Sequence, residues 1–263
     1  MAGRPTRLKE LREFSLYRRL KEFSQFNIPT RDFNLAQLPC ATFVLLTKAM
    51  NILLIAATAK EIEPFFEYYR NTKKLRDIDI LITGIGLTAA TYHLSKQISL
   101  KRPDLVIQAG VAGCFSKKIP LGSVMTVKKE TIADQAVIEM KELKPLFNLG
   151  LVPHNQFPFS RGWLVNNNEI LKKIRLKKVA AISVNEITTL AQKIKFYNDL
   201  FSPVVESMEG AALHYTCLME KIPFVQLRSV CNYVGERDKK KWNMKSSIVN
   251  LNNELIKFLE NLS

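Results

Sequence analysis

Three apolar runs of strand length follow one another, Asn51 to Ala57, Ile78 to Thr83 and Leu105 to Ala109, and glycine turns close the second and third. Between them the apolar positions move to helical spacing: Ile62, Phe65, Phe66 and Tyr69 in a stretch beginning near Ala59, then a helix over Thr88 to Leu100. Strand, turn and helix in repetition is the signature of βαβ units in a parallel sheet. Further buried strands are predicted at Ser123 to Lys128, Lys178 to Val184 and Phe224 to Val230, with an amphipathic helix over Ile248 to Leu262 at the end. Phe147 to Trp163 interrupts the pattern and is expected to be a loop covering a site or an interface. The fold class expected is α/β, a single three-layer domain whose mixed, mostly parallel twisted sheet is flanked by helices.

The stretch Val204 to Asn232 is the most informative. It predicts a helix whose first turn carries Ser207, Met208 and Glu209, a break at Pro223, and a strand ending near Asn232. Gly210, Ala211 and Ala212 make the helix start poor in side chains, so a ligand can approach it closely.

Residues 1–49 differ from the rest, being rich in Arg and aromatics, with one amphipathic helix predicted over Leu8 to Phe23. They are expected to be a basic N-terminal extension, either an upstream addition to a chain that starts at Met50 or a disordered arm that docks on a partner. Residues 50–263 form the predicted catalytic domain.

Composition narrows the classes. The 39 Lys and Arg against 24 Asp and Glu give a net charge of +15, but the lysines occur as scattered pairs such as Lys117-Lys118, which argues against a nucleic-acid partner. No apolar run is long enough to span a bilayer, so no membrane association is expected. Cys40, Cys114, Cys217 and Cys231 have no C-x-x-C spacing, and His93, His154 and His214 are dispersed. No metal site is predicted, and the cysteines read as small buried residues of a reducing, cytoplasmic protein. Gly84-x-Gly86 lacks the third glycine of a dinucleotide fingerprint, and no P-loop motif occurs, so no cofactor is expected.

Polar residues at the carboxyl ends of strands or on the next helix start, Glu61, Thr83, Asn185, Glu186, Glu209 and Asn232, should converge on one crevice. Two carboxylates and an amide there point to general acid/base work on a polar ligand. Taken singly, Glu61 and Glu209 also suit a helix start, and Asn232 a turn.

Taken in order, the glutamate after the first strand, T-G-I-G at 83–86, A-G-V-A-G at 109–113, V-E-S-M-E-G-A-A at 205–212 and R-S-V-C-N at 228–232 resemble the purine nucleoside phosphorylase and nucleosidase superfamily. The resemblance covers Met50 to Ser263, and the M-E-G-A-A motif is its specific part. The run N-Y-V-G-E-R-D-K-K-K-W at 232–242 is most similar to the futalosine hydrolase branch, with the methylthioadenosine and adenosylhomocysteine nucleosidases as the alternative. The resemblance implies a small nucleoside substrate and a homodimer. It gives Glu61 the attacking water, Glu209 the ribose hydroxyls, Met208 the sugar face, and Ile187 and Thr188 the base pocket, Thr188 through its backbone. Gly86 and Val111 are expected to contact substrate from the glycine turns. Asn232 stands where adenine-specific relatives carry an aspartic acid, so it is expected to assist departure of a 6-oxopurine. Gln108 stands where the phosphorylases of the superfamily carry a phosphate-binding arginine, which favours water as the nucleophile.

Overall fold

A computed structural model describes residues 50–72 and 78–262. The predicted helix at Leu8 to Phe23, the whole N-terminal extension and Cys40 lie outside the described residues. The first half follows the expected βαβ course. Strand β1 (Ile52–Ala56) lies between β2 (Ile78–Ile82) and β3 (Leu105–Cys114), parallel to both, with Ile52 opposite Ile78 on one side and Leu105 on the other. A 3-10 turn (Ala59–Ile62) and helix α1 (Glu63–Asn71) follow β1, and α2 (Leu87–Leu100) connects β2 to β3. Every residue of β1 is buried, because helices cover both faces. Ile52 and Leu54 pack on Phe65, Leu251 and Leu255; Leu53 and Ile55 pack on Leu94, Ile98 and Leu213. Full burial of such a side chain stabilises by about 1.5–3 kcal/mol relative to exposure.

The second half departs from a simple twisted sheet. Its strands are β4 (Val124–Ile132), the hairpin β5 (Ala136–Glu139) and β6 (Glu142–Pro145), β7 (Phe159–Ser160), β8 (Trp163–Val165), β9 (Lys178–Ser183), β10 (Val205–Ser207) and β11 (Phe224–Tyr233). Helix α3 (Ala191–Phe201) follows β9, α4 (Gly210–Met219) follows β10, and α5 (Met244–Glu260) closes the described chain. Strand β11 pairs with β3 in parallel and with β4 in antiparallel, while β10 joins β3 to β9 and β9 pairs with β4. The path β3-β10-β9-β4-β11 therefore returns to β3, and five strands close into a barrel-like ring. Its filling comes from all five: Ala112, Cys114, Met125, Val127, Val179, Ala181, Val205 and Val230. The expected mixed sheet with helices on both sides is present, but its centre is closed where an open, twisted sheet was expected. The physical reason is β3, whose ten residues pair with β1 over Leu105–Gln108 and with β10 at Gly113 and Cys114 along one edge, while β11 runs along the other.

Two local readings also change. Val205 to Ser207 is a strand, so the helix begins at Gly210 with Glu209 as its N-cap. The loop expected over Phe147 to Trp163 contains the short strand β7 and the start of β8.

Candidate active site

Thr58 and Glu61 form a reciprocal capping box at the turn after β1. Glu61 Oε2 accepts from the Thr58 amide at 2.9 Å and the Thr58 hydroxyl at 3.1 Å, and its Oε1 accepts from the Val111 amide at 3.0 Å. The carboxylate is thereby fixed against the glycine turn inside β3. Burial raises the Glu61 carboxyl above its ordinary value, opposed by the Arg228 guanidinium and by the Val111 and Thr58 amides, with Glu209 adding to the rise. A buried carboxylate of raised basicity is suited to take a proton from water.

Arg228 is the centre of the cluster. It is 1% exposed in the middle of β11, where its Nη2 donates to Gln108 Oε1 at 3.1 Å and to Glu209 Oε2 at 3.5 Å, and its Nη1 donates to the Val111 carbonyl at 3.3 Å. A charge in a buried strand persists only when paired in this way. Gly110 leaves the space: a Cβ there would lie 2.4 Å from Arg228 Nη1 and 3.0 Å from Glu61 Oε1. Glu209 Oε1 accepts from the Gly86 amide at 3.1 Å, so the two expected glycine turns meet the same pair of acids.

Glu61 and Glu209 line a cavity of about 320 Å³ together with Val111, Ile187, Thr188, Met208 and Asn232, while Arg228 lies behind the two acids and is not part of the lining. Of the expected site residues, Glu61, Glu209, Asn232, Met208, Ile187, Thr188 and Val111 share this cavity; Gly86 supports it through Glu209 and is not among its lining residues. Thr83 is instead buried against the Ala56 carbonyl, Asn185 bonds Asp134, and Glu186 pairs with Lys193 outside the cavity, because the chain turns away at their strand ends.

Two features escaped the sequence reading. Arg228 was quoted within R-S-V-C-N without a role; the signal was a lone cation inside an apolar strand. Its position corrects the idea that the third-strand turn lacks a cation for want of an arginine at 108: the guanidinium arrives from the neighbouring strand and bonds Gln108. Flanked by Glu61 and Glu209, it is already neutralised, which disfavours a phosphate dianion. Glu206 is the second. Its Oε1 accepts from the Thr188 amide at 3.1 Å, so that backbone N–H, expected to face the base, is occupied within the fold. The far wall is Glu236, Arg237, Trp242 and Met244, and there Arg237, readable from the sequence either as a seat for a substrate carboxylate or as part of a solvated charge run, lies over the Trp242 ring at 5.5 Å.

Asn232 follows a register shift between Val230 and Asn232 that turns the end of β11 toward the cavity. Its Nδ2 donates to the Tyr233 carbonyl at 3.0 Å and its Oδ1 faces Cys231 Sγ at 3.1 Å, which leaves one amide hydrogen for a ligand. No group of His, Cys, Asp and Glu among the described residues could hold a metal ion.

The fold that carries this closed ring of strands and its paired acids is shared with known proteins. The model of the phosphorylase superfamily matches residues 44–261, and the chain belongs to that superfamily. The 5'-methylthioadenosine/S-adenosylhomocysteine nucleosidase of Buchnera aphidicola is 26% identical over 62% of this chain and 69% of its own length. The futalosine hydrolase of Thermus thermophilus is 27% identical over 64% of this chain and 75% of its own. Among solved structures, the 5'-methylthioadenosine/S-adenosylhomocysteine nucleosidase of Colwellia psychrerythraea in complex with adenine superposes with a TM-score of 0.68 at 18% identity, covering 82% of this chain and 96% of that one.

Proposed function

We propose that the protein is an N-ribosyl hydrolase that cleaves futalosine to hypoxanthine and dehypoxanthine futalosine, as a step of menaquinone biosynthesis. Glu61 holds a water against C1' of the ribose and takes its proton as the C1'–O bond forms. The C1'–N9 bond breaks, and the purine leaves with the electron pair. Glu209 accepts from the ribose hydroxyls while Met208 packs on the sugar face, and the free hydrogen of Asn232 donates to N7 or O6 of the departing base. Buried carboxylates stabilise the cationic sugar of such a transition state. A homodimer belongs to the same reading.

The observation that carries the substrate is Asn232, a neutral amide in the cavity that holds Glu61 and Glu209. Facing a 6-oxopurine it donates to an acceptor; facing a 6-amino group, the same NH₂ would oppose a donor at a cost of about 1–3 kcal/mol when buried. Occupation of the Thr188 amide by Glu206 supports the same choice, because it removes a donor that N1 of adenine could use. Arg237 beside Trp242 offers a cation and an aromatic face to a 5' substituent bearing an aromatic carboxylate.

A second reading, a methylthioadenosine or adenosylhomocysteine nucleosidase, is favoured by the equal standing of relatives of both kinds, at 26% and 27% identity. Turnover of futalosine, inosine and methylthioadenosine, each with and without phosphate, separates them. Release of hypoxanthine from futalosine at a rate indifferent to phosphate is expected. Preferred release of adenine from methylthioadenosine would establish the second reading, and phosphate dependence would make the enzyme a phosphorylase.

A further inference from the structure

Behind the Glu209–Arg228 pair lies a polar chain that the mechanism does not use. Glu130, on β4, is wholly buried, and its Oε1 accepts from the Ser183 hydroxyl at 3.1 Å. That hydroxyl accepts in turn from the Ala211 amide, in the first turn of α4, at 2.9 Å. On its other side the Glu130 carboxyl meets the Gln226 amide, which also lies against His214. A Cβ at Gly210, next to Glu209, would lie 2.2 Å from Glu130 Oε2 and 2.5 Å from Gln226 Nε2.

Four atoms of this chain make no well-formed hydrogen bond as placed: Glu130 Oε2, both polar atoms of the Gln226 amide, and His214 Nε2. One proton assignment satisfies them all. His214 Nδ1 lies 3.0 Å from the Leu164 carbonyl, which can only accept, so Nδ1 carries the hydrogen. Burial lowers the imidazole to about 4, so the ring is neutral and its Nε2 is an acceptor. Gln226 then turns its NH₂ toward His214 and its Oε1 toward Glu130, and the orientation of such an amide is set by its partners. Within this polar chain only the carboxyl of Glu130 is then left to donate to Oε1. With Glu130 ionised, Oε1 stays buried without a donor, at the cost such a group incurs.

We propose that Glu130 is a positioning residue that carries a proton in the working enzyme and, through Ser183 and the first turn of α4, holds Glu209 and Arg228 in place for the sugar. The charged groups acting on it are Arg228 and Glu209, with His214 neutral at the far end of the chain. Burial raises its carboxyl to about 7, opposed by Arg228 and Ser183 and reinforced by Glu209; the opposition that a donating Gln226 amide would add is lost once its oxygen faces the carboxyl. Ionised, Glu130 competes with Glu209 for Arg228 and loosens the grip on the ribose. Because its folded value lies above the ordinary 4.5, the stability it contributes is present below 4.5 and is lost as pH rises through about 7.

The test compares the wild type with Glu130→Gln, whose amide keeps a donor for Gln226 but cannot ionise, and with Glu130→Ala. From about pH 6 to about pH 8.5, wild-type kcat/KM for the nucleoside turned over should fall about tenfold, mainly through KM. Glu130→Gln should retain most of the activity at the acid end and lose the fall, and Glu130→Ala should be impaired throughout. Melting temperatures over the same range should drop for the wild type relative to Glu130→Gln. The kinetic arm rests on the nucleosidase reading, whereas the melting arm needs no substrate. A Glu130→Gln profile parallel to the wild type, a folded Glu130→Gln as impaired as Glu130→Ala, or a melting difference constant with pH would each overturn the proposal.

Discussion

The two ends of the cavity are built differently. At one end Glu61 and Glu209, with Arg228 behind them, are all buried, and their hydrogen bonds run to backbone, to one another and to the side chains of Thr58 and Gln108, across more than one strand. At the other end Asn232 lies at the end of β11 and Arg237 and Trp242 follow that strand, and their side-chain hydrogen bonds and ring contact stay within the segment 231–242. In the proposed reaction the first end supplies the acid, cation and acid for bond cleavage, and a change there disturbs several strands. The second is assembled locally and can vary without disturbing the ring of strands. Chemistry and substrate choice are thus separated along one cavity.

That separation can be broken by experiment, beginning with the largest effect. Glu61→Gln is expected to lower kcat by about 10²–10⁴ for every nucleoside accepted, with little change in KM, as removal of a positioned base does. A loss confined to one substrate, read by steady-state kinetics on two nucleosides, would blur the two ends. Gly110→Ala should be next, because its methyl group must displace the Arg228 guanidinium from Glu61. A destabilisation of about 1–3 kcal/mol by denaturant titration is expected, with activity falling in parallel. A variant of native stability and rate would show that the guanidinium can move freely. The smallest effect belongs to the other end. Asn232→Asp should shift the ratio of kcat/KM between 6-oxo and 6-amino nucleosides by about tenfold toward the amino form, while melting stays within a few degrees. A uniform loss on both bases would place Asn232 with the common machinery.

The pattern of apolar residues made the first three strands and their helices legible, because β1 is buried on both faces and so reads as a continuous apolar run. Closure of the ring was not legible. Strand β10 has three residues, Val205–Ser207, too few to show a period, and they sit against a helix start that absorbs them into a helical reading. Glu61, Glu209 and Asn232 were legible as polar residues at element ends. Arg228 was not, since its partners Gln108 and Val111 lie more than a hundred residues earlier and only pairing of β11 with β3 unites them. Glu130 stayed hidden for a related reason: in V-K-K-E-T it reads as one more solvated charge, and a bulge in β4 between Val127 and Lys129 alters the alternation that would have revealed its face.

The narrowest seam of the ring lies where β10 meets β3. Val205 and Glu206 face only Cys114 and Gly113 there, extended by the Phe115 amide on the Val204 carbonyl. Two residues further along the chain stands Met208, and then Glu209. Opening of this seam, a local event well short of unfolding, would carry the Glu209 carboxylate away with it. If Glu209 holds the sugar as proposed, occupancy of the cavity and closure of the ring are linked, and a bound nucleoside is expected to act as a clasp that slows solvent exchange at the amides of this seam.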